Sequence, residues 1–301
     1  MKKLHILNPA AGKGALPDVS KLDGEVYITK CAGDAEAYLI TRLSDGDGEE
    51  YRIYAYGGDG TLNEVTSGIM RAGAGGRVVL TPVPTGSGND FARMTADLCD
   101  AVFCDVIKYN DKYAINEINT GFDTGVVVRS NSLKKLPLVS GTASYILGVV
   151  AELISKKATE LRLTLRLSDG SDEVFEGKYL LCLLSNGAWY GGGFKAAPTA
   201  DISDGVLDFY LASDMGRARF LGLVGKYRAG EHIDMAAKTV IREAEDVLIY
   251  RRCTSLLLEG VRRFSADGEV MENDGVITAE VIPSALRVAG PLWEPLAAVK
   301  S

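Results

Sequence analysis

A run of three glycines around one acid, Gly57-Gly58-Asp59-Gly60, constrains the fold of this chain more than any other feature. The β-prone segment Tyr51–Tyr56 precedes it, and a helix is predicted after it over Asn63–Met70. A tight turn needs only one or two glycines, so this run at a strand-to-helix junction indicates a backbone that approaches a ligand closely. We therefore predict that the phosphates of a nucleotide and a metal ion bind at this loop.

Two more glycine-containing loops follow β-prone segments. The loop Asn8–Gly14 comes after Leu4–Leu7, and the loop Pro84–Asn89 comes after Arg77–Pro82 and opens a predicted helix. The first loop lacks both the leading glycine of a P-loop and the Ser or Thr that follows its lysine, so a simple glycine turn is an open alternative there. One such loop is a weak signal, and only the combination indicates a shared ligand.

The order of these segments predicts the architecture of the first part of the chain. A further strand is predicted over Glu25–Thr29, and Asp34 is a suitable N-cap for a helix over Ala35–Leu43. Alternating strands, loops and helices are typical of a parallel sheet with helices packed on it. The loops after the carboxyl ends of such strands gather at one edge, where ligands bind. The three glycine loops should therefore converge into a polyphosphate cradle.

After about residue 113 the pattern becomes β-rich and predicts antiparallel sandwich or barrel structure. Turn signals such as Asp204-Gly205 and Asp267-Gly268 separate several of the strands. Helical stretches are predicted near Ser144–Ser155 and Met215–Ala229. The predicted strands are Leu161–Leu167, Lys178–Leu184, Val206–Ala212, Val247–Tyr250, Ser255–Glu259 and Val276–Ile282.

Composition excludes several classes of protein. With 301 residues, 47% of them hydrophobic, the chain is long enough for two domains with cores of their own. A net charge of −7 argues against a nucleic-acid partner, and the local basic pairs are typical of solvated surface.

The five cysteines form no C-x-x-C, which indicates free thiols in a reducing cytoplasm. The first residues do not resemble a signal peptide, because their apolar run is short and ends at Asn8-Pro9.

The two histidines, His5 and His232, support neither a Ser-His-Asp triad nor a zinc site.

At this point the motifs resemble the diacylglycerol kinase catalytic domain of bacterial lipid kinases and, more distantly, of sphingosine and ceramide kinases. The resemblance covers nearly the whole chain, although Gly-Gly-Asp-Gly alone also occurs in NAD kinases and phosphofructokinases. The matching motifs are Asn8-Pro9-x-x-Gly12, Gly57–Val65, Pro84-x-Gly86-Ser87-x-Asn89-Asp90-Phe91-Ala92-Arg93, Asn119-x-Gly121-Phe122-Asp123, Asn186–Gly193, Pro198-x-Ala200-x-x-x-Asp204-Gly205-x-Leu207-Asp208 and Asp267-Gly268-Glu269.

The resemblance implies an α/β + β fold with two domains. A phosphofructokinase-like, NAD kinase-like α/β domain would occupy residues 1–113, and a β-sandwich domain that receives the lipid would occupy residues 114–285. The carboxyl tail, residues 286–301, would return to the first domain. The active site would lie in the cleft between the domains.

The resemblance also implies ATP and Mg²⁺ as cofactors. Asp59 would hold the catalytic magnesium, and its alternative role is that of a carboxylate stabilised at a helix N-terminus. Ser87 stands where the family usually has threonine and keeps the hydroxyl, while Asn89 and Asp90 have the alternative role of organising their loop. The expected nucleotide-binding residues are Asn8, Pro9, Ala10, Ala11, Gly12, Thr29, Gly58, Asp59, Gly60, Thr61, Leu62, Asn63, Glu64 and Ser87.

Two sites are expected in the second domain. By resemblance, Glu269 is the general base that accepts the proton of the lipid hydroxyl, and a hairpin turn at Asp267-Gly268 is compatible with that role. A second, structural magnesium would bind the Asp204 side chain and the main-chain oxygens of Asp201 and Val206. A β-turn without metal is the alternative for that segment.

The expected activity is phosphorylation of diacylglycerol to phosphatidic acid. The alternatives are a kinase for a sphingoid base, another glycerolipid or NAD, or a non-catalytic regulator that binds lipid or nucleotide. The protein is expected in the cytoplasm, with peripheral contact at the inner membrane surface. The apolar region Leu133–Ile154 and the lysines Lys134 and Lys135 are candidates for that contact, although a core helix is the alternative. The resemblance is also compatible with a homodimer.

Overall fold

Parallel strands covered by helices form the first part of the chain, as the alternation of segments predicts. The computed structural model describes residues 1–12, 16–44, 48–121 and 158–292. The first elements are β1 Lys2–Leu7, β2 Glu25–Ile28, α1 Asp34–Ser44, β3 Tyr51–Gly57, α2 Asp59–Arg71, β4 Val78–Pro84 and α3 Ala92–Thr95, with short 3-10 turns at Val19–Lys21 and Gly75–Arg77. The strands pair in parallel in the order β4-β3-β1-β2.

Hydrophobic spacing explains how α1 and α2 pack on this sheet. In α1 the buried residues Ala35, Leu39 and Leu43 recur every four positions, and α2 buries Val65 and Ile69 with the same spacing. Residues four apart share one face of a helix, so each helix turns one apolar stripe towards the strands. The central strand β3 and its neighbour β4 are almost wholly buried, as is typical of a parallel sheet covered by helices.

Antiparallel strands dominate the rest of the described chain. Two separate apolar cores form on the faces of these strands, one of which lies under helix α4. The elements are β5 Val102–Tyr109, β6 Lys112–Ala114, β7 Glu117–Gly121, β8 Thr159–Leu167, β9 Asp172–Ser185, β10 Leu207–Ser213, α4 Arg217–Ala229, β11 Ile233–Asp234, β12 Thr239–Val240, β13 Leu248–Glu259, β14 Arg263–Ala266, β15 Glu269–Glu272 and β16 Val276–Val288.

Strand β16 connects the two parts of the molecule. Its first half pairs with β13, where Ser255 lies opposite Glu280. Its end pairs in parallel with β4, where Val288 lies opposite Leu80. The main sheet therefore runs in the order β15-β14-β7-β9-β10-β13-β16-β4-β3-β1-β2. The exact domain limits stay a prediction, and residues 293–301 of the expected returning tail lie outside the described residues.

Several predicted elements differ from those observed. Helix α2 begins at Asp59 instead of Asn63, so Asp59 and Gly60 of the glycine motif lie in its first turn. The two strands predicted over Val247–Tyr250 and Ser255–Glu259 are one continuous strand, β13. The predicted helix Ser144–Ser155, together with Lys134 and Lys135, lies outside the described residues.

None of the helices in the described part of the chain is both long and apolar enough to cross a membrane.

Candidate active site

The three glycine loops converge at the carboxyl edge of the parallel sheet. A Cβ atom on Gly86 would lie 2.4 Å from the Gly58 Cα, and a Cβ on Gly12 would lie 2.4 Å from the Thr85 carbonyl oxygen. Such separations leave no room for any side chain, because real Cβ contacts are longer. The glycines are therefore required for the loops to touch one another, whatever ligand they bind.

A hydrogen bond between Asn8 and Thr61 holds the loop that begins at Asn8 against the start of α2. The Asn8 Nδ2 donates to Thr61 Oγ1 at 2.8 Å, and the Asn8 Oδ1 accepts from the Ala10 amide at 2.9 Å. Leu62 packs into the core, so only its backbone can face a ligand.

The first turn of α2 presents backbone N–H groups at this junction. Gly58 is the N-cap residue, and no side chain makes a capping hydrogen bond. The first N–H groups of a helix have no partner within the helix, and together with the helix dipole they favour an anion. This end of α2 is therefore suited to phosphate oxygens.

Two carboxylates, Asp59 and Asp90, lie close together beside the loops. The Asp90 amide donates to Asp59 Oδ1 at 2.8 Å, and a Cβ on Gly88 would lie 2.5 Å from Asp59 Oδ2. Burial raises the pKa of the Asp59 carboxyl, although the amides of residues 89–91 oppose that rise. Burial and the nearby Asp59 charge raise the pKa of Asp90 to about 6.

This pair has the donor chemistry that magnesium requires. Asp90 Oδ1 is buried and has no hydrogen-bond partner, although the Arg93 Nε lies 3.6 Å away. Mg²⁺ in phosphoryl-transfer sites is held by one or two carboxylates together with substrate phosphates. A cation would also relieve the repulsion between Asp59 and Asp90, so these residues could hold it beside the α2 N-terminus.

Glu269 lies directly against the Gly58–Thr61 loop, although it is about two hundred residues away in sequence. A Cβ on Gly60 would be 3.0 Å from Glu269 Oε1. Asp267 and Gly268 form the two-residue turn of the β14–β15 hairpin, both with positive φ, of 47° and 81°. Such a turn is typical of Asp-Gly. The hairpin prediction is confirmed, and the turn presents Glu269 to the loop.

The Asp267 carboxylate holds this hairpin in place. Its oxygens accept from the backbone amides of residues 115–117 at 2.9–3.0 Å and from Asn63 Nδ2 at 2.8 Å. Glu117 in turn accepts from the Gly268 amide at 3.2 Å. Burial raises the pKa of the Asp267 carboxyl, while these donors oppose the rise. These hydrogen bonds around Asp267, which we call the Asp267 hub, join α2 to the hairpin that carries Glu269.

The remaining residues expected at the nucleotide occupy different positions. The Glu64 carboxylate accepts from the Gly33 amide at 2.8 Å and from the Ala35 amide at 3.2 Å, so it caps helix α1. Thr29 is buried and its hydroxyl donates to the Leu7 carbonyl at 3.3 Å. Ser87 is exposed at the tip of its loop. Whether these side chains contact a nucleotide stays a prediction.

The segment expected to bind a structural metal is already neutralised by an arginine. Asp204 Oδ2 pairs with the Arg252 guanidinium, and Asp204 Oδ1 accepts from the Val206 amide at 3.2 Å. The Asp201 carboxylate accepts from the amide and hydroxyl of Ser203. A cation at Asp204 would have to displace Arg252, and whether a magnesium ion binds Asp204 and the main-chain oxygens of Asp201 and Val206 stays a prediction. Among the described residues, no cluster of three or more His, Cys, Asp or Glu side chains could hold a metal.

Three functional features were missed by the sequence reasoning. The Asp-Gly turn indicated the hairpin but not the role of the Asp267 carboxylate, because its donors at residues 63 and 115–117 are distant in sequence. Glu117 and the Arg252–Asp204 pair had no signal either, because their partners are distant in sequence.

A single methyl group on Gly86 is expected to destabilise the converging loops. In Gly86→Ala the new Cβ must push Gly58 away, at a cost of about 1–3 kcal/mol in the free energy of unfolding. Urea denaturation of both proteins measures this loss. The matched control is Gly76→Ala, because nothing lies within 4 Å of a Cβ there. Equal stability of the two variants would contradict the close contact.

Asp90→Asn is expected to change the dependence of stability on pH. The pKa of Asp90 rises from 3.8 to about 6 on folding, so between these values the folded state holds a proton that the unfolded state releases. The contribution of the Asp90 carboxyl to the free energy of unfolding is therefore fully present below about pH 4 and is lost as the pH rises through about 6. The asparagine variant should gain about 2–3 kcal/mol relative to wild type between pH 4 and pH 7. Urea denaturation at both values tests this, with exposed Asp97→Asn as control; a constant difference would contradict it.

Two protein-family models match the chain in tandem. The diacylglycerol kinase catalytic domain matches residues 3–107, and the YegS C-terminal NAD kinase beta sandwich-like domain matches residues 116–290. A probable lipid kinase YegS-like from Alcanivorax borkumensis is 32% identical over 286 residues, which span 90% of this chain and 88% of the relative. A diacylglycerol kinase from Bacillus subtilis is 31% identical, over 78% of this chain and 81% of its own length.

The same fold occurs in solved structures. A putative diacylglycerol kinase from Bacillus anthracis superposes with a TM-score of 0.71 at 22% identity, covering 98% of this chain and 97% of that one. The predicted fold, an α/β domain followed by a β-sandwich domain, is confirmed. The chain belongs to the bacterial diacylglycerol kinase family, which includes the YegS-like lipid kinases, and it is a lipid kinase.

Proposed function

We propose that this lipid kinase transfers the γ-phosphate of ATP to a hydroxyl of diacylglycerol in a magnesium-dependent reaction, giving phosphatidic acid and ADP. The observation that carries the proposal is the approach of Glu269 Oε1 to Gly60. A general base must lie within reach of both the acceptor hydroxyl and the phosphate it attacks. The relatives from Bacillus subtilis and Staphylococcus saprophyticus are diacylglycerol kinases by name, which favours diacylglycerol as the acceptor.

Phosphoryl transfer depends mainly on positioning and charge stabilisation. In the proposed reaction, the N–H groups at the start of α2 bind phosphate oxygens, and the touching glycine loops bring the backbone close to them. A magnesium ion at Asp59 and Asp90 would neutralise charge on the phosphates. The Glu269 carboxylate accepts the proton of the lipid hydroxyl while that oxygen bonds to the γ-phosphorus, and the bond from the phosphorus to ADP breaks.

Cytoplasmic ATP and a membrane lipid meet at the inner membrane surface, so this proposal includes peripheral contact there. A homodimer is a further prediction, which sedimentation velocity would test.

Transfer of labelled phosphate from ATP to a panel of acceptors tests the function. The panel contains diacylglycerol, monoacylglycerol, sphingosine and ceramide in mixed micelles, and NAD in solution. We expect label in phosphatidic acid, loss of transfer with excess EDTA, and recovery when Mg²⁺ is restored. Preferential labelling of another acceptor would overturn the diacylglycerol assignment, and transfer that survives EDTA would overturn the magnesium dependence.

A further inference from the structure

Five neighbouring strands of the antiparallel part, in the order β9-β8-β13-β16-β5, turn one side of their sheet outward. Successive side chains of a strand point to opposite faces. Leu163, Leu256 and Ile277 lie in the apolar core, so the residues next to them face away from it. On that outer face Val174 is 55% exposed and Leu257 is 38% exposed. A sheet face with exposed apolar side chains is a candidate interaction surface.

The register of these strands arranges the outward side chains in rows across the sheet. The charged row consists of Asp172 on β9, Arg166 on β8, Ser255 on β13, Glu280 on β16 and Lys108 on β5. Its charges therefore run negative, positive, neutral, negative, positive. Within one copy Arg166 Nε lies 2.9 Å from Asp172 Oδ1. On the other side of Ser255, Lys108 Nζ lies 3.3 Å from Glu280 Oε1.

Reversing the charged row gives a pattern that is complementary to the original. A half-turn about an axis parallel to β13 and above Ser255 places a second copy face to face with the first and reverses the order of the strands. Asp172 then lies opposite the partner's Lys108, and Arg166 lies opposite the partner's Glu280. Each contact occurs twice, as in every isologous twofold interface. The charges on this face therefore match a second copy of the same chain.

The neighbouring row agrees with the same axis. It consists of Val174, Thr164, Leu257 and Thr278. The half-turn places Leu257 against its own copy and Thr164 opposite the partner's Thr278, so groups of the same kind meet. In the row beyond, Glu259 would face its own copy, and Arg162, 4.0 Å from that carboxylate, offsets the repulsion. The contact is therefore centred on the charged row and Leu257.

The size and the charge of the face suit such a contact. Strands about 4.8 Å apart and nine residues long, as β8 is, give a face of roughly 700 Å², close to the about 800 Å² that each partner buries in a standard interface. A groove of about 380 Å³ along Ser255 and Leu257 leaves room for side chains of the partner. Two copies that each carry a net charge of −7 repel one another, whereas the charges of this row cancel.

We propose that this face docks a second copy of the chain, with the twofold axis above Ser255, and that the charged row selects that partner. The surface gives the predicted homodimer a definite geometry. The inference is independent of the proposed function, because none of the residues on this face belongs to the candidate active site.

Charge reversals on the two sides of the axis test the pairing. Arg166→Glu places a glutamate opposite the partner's Glu280, and Glu280→Arg places an arginine opposite the partner's Arg166. Each variant alone should raise the Kd of self-association at least about tenfold, because the axis repeats the repulsion. A one-to-one mixture of the two variants should dimerise again, since the glutamates at positions 166 and 280 of one copy then meet the arginines of the other. Sedimentation velocity of the full chain measures both effects.

The mixture separates contact between copies from contact within one copy. Mixing does not restore the ion pairs that Arg166 and Glu280 form within their own copies. Glu272→Arg is the control, because it reverses an exposed charge on β15, outside this face, and should leave the Kd unchanged. A dimer that survives both reversals, or variants that stay monomeric when mixed, would overturn the proposal. A wild type that is monomeric up to about 1 mM would also overturn it and would leave the face to a different protein.

Discussion

Glu269→Gln is expected to lower kcat for lipid phosphorylation about 100-fold or more while KM for ATP stays near the wild-type value. Glutamine keeps the shape of the side chain and its position against Gly60, but it cannot accept the proton of the acceptor hydroxyl. Since the carboxylate is not needed for the α2 amides to bind phosphate, nucleotide affinity should survive.

Steady-state kinetics with saturating lipid measure this effect. Glu272→Gln is the matched control, because Glu272 lies on the same short strand and pairs with Arg263 at the surface. The control should retain activity within about twofold, since an exposed ion pair contributes little to stability. A fully active Glu269→Gln enzyme would remove the base assignment while leaving the membership of the family untouched.

Much of the site could be predicted from the sequence, because close loop contacts and positive φ angles each favour particular residue types. Glycine is the residue that permits two loops to touch, so Gly12, Gly58 and Gly86 indicated the convergence before any coordinates. The Asp-Gly turn indicated a hairpin in the same way, because both of its residues have positive φ. These signals are local and depend on one residue type at one position.

The predicted limits of α2 and β13 were wrong because local propensity and tertiary packing favour different structures there. Gly60 lowers the helix propensity of the segment, yet α2 begins at Asp59 because Gly58 serves as its N-cap. The residues between the two predicted strands, among them Arg251 and Arg252, belong to β13, which continues through an irregularity near Cys253. In both places packing against neighbouring strands or loops outweighs the local preference.

Side-chain pairs distant in sequence were not predictable at all. Glu64 belongs to the motif that implies nucleotide contact, but its carboxylate caps α1, which packs beside α2. Arg252 reaches Asp204 from another strand and occupies the carboxylate expected to bind a metal. No spacing rule connects such residues, because the topology of the sheet brings them together.

Asp267→Ala is expected to lower the free energy of unfolding by about 3 kcal/mol or more, the largest loss of stability among the variants considered. The buried carboxylate accepts from three backbone amides and from Asn63, and alanine leaves these donors without an acceptor. Alanine also tolerates the φ of 47° at this position less well than aspartate. Both effects act at the contact that joins α2 to the Glu269 hairpin.

The Asp267→Asn variant separates the loss of the hydrogen-bond acceptor from the strain at positive φ, because asparagine tolerates positive φ and keeps one acceptor oxygen. Urea denaturation should therefore rank wild type above asparagine and asparagine above alanine, with the exposed Asp274→Ala close to wild type. Where the asparagine variant folds, its kcat should fall while KM for ATP changes little, because Glu269 loses its fixed position. An alanine variant as stable as wild type would show that the hub does not hold the hairpin, and the approach of Glu269 to Gly60 would then need another cause.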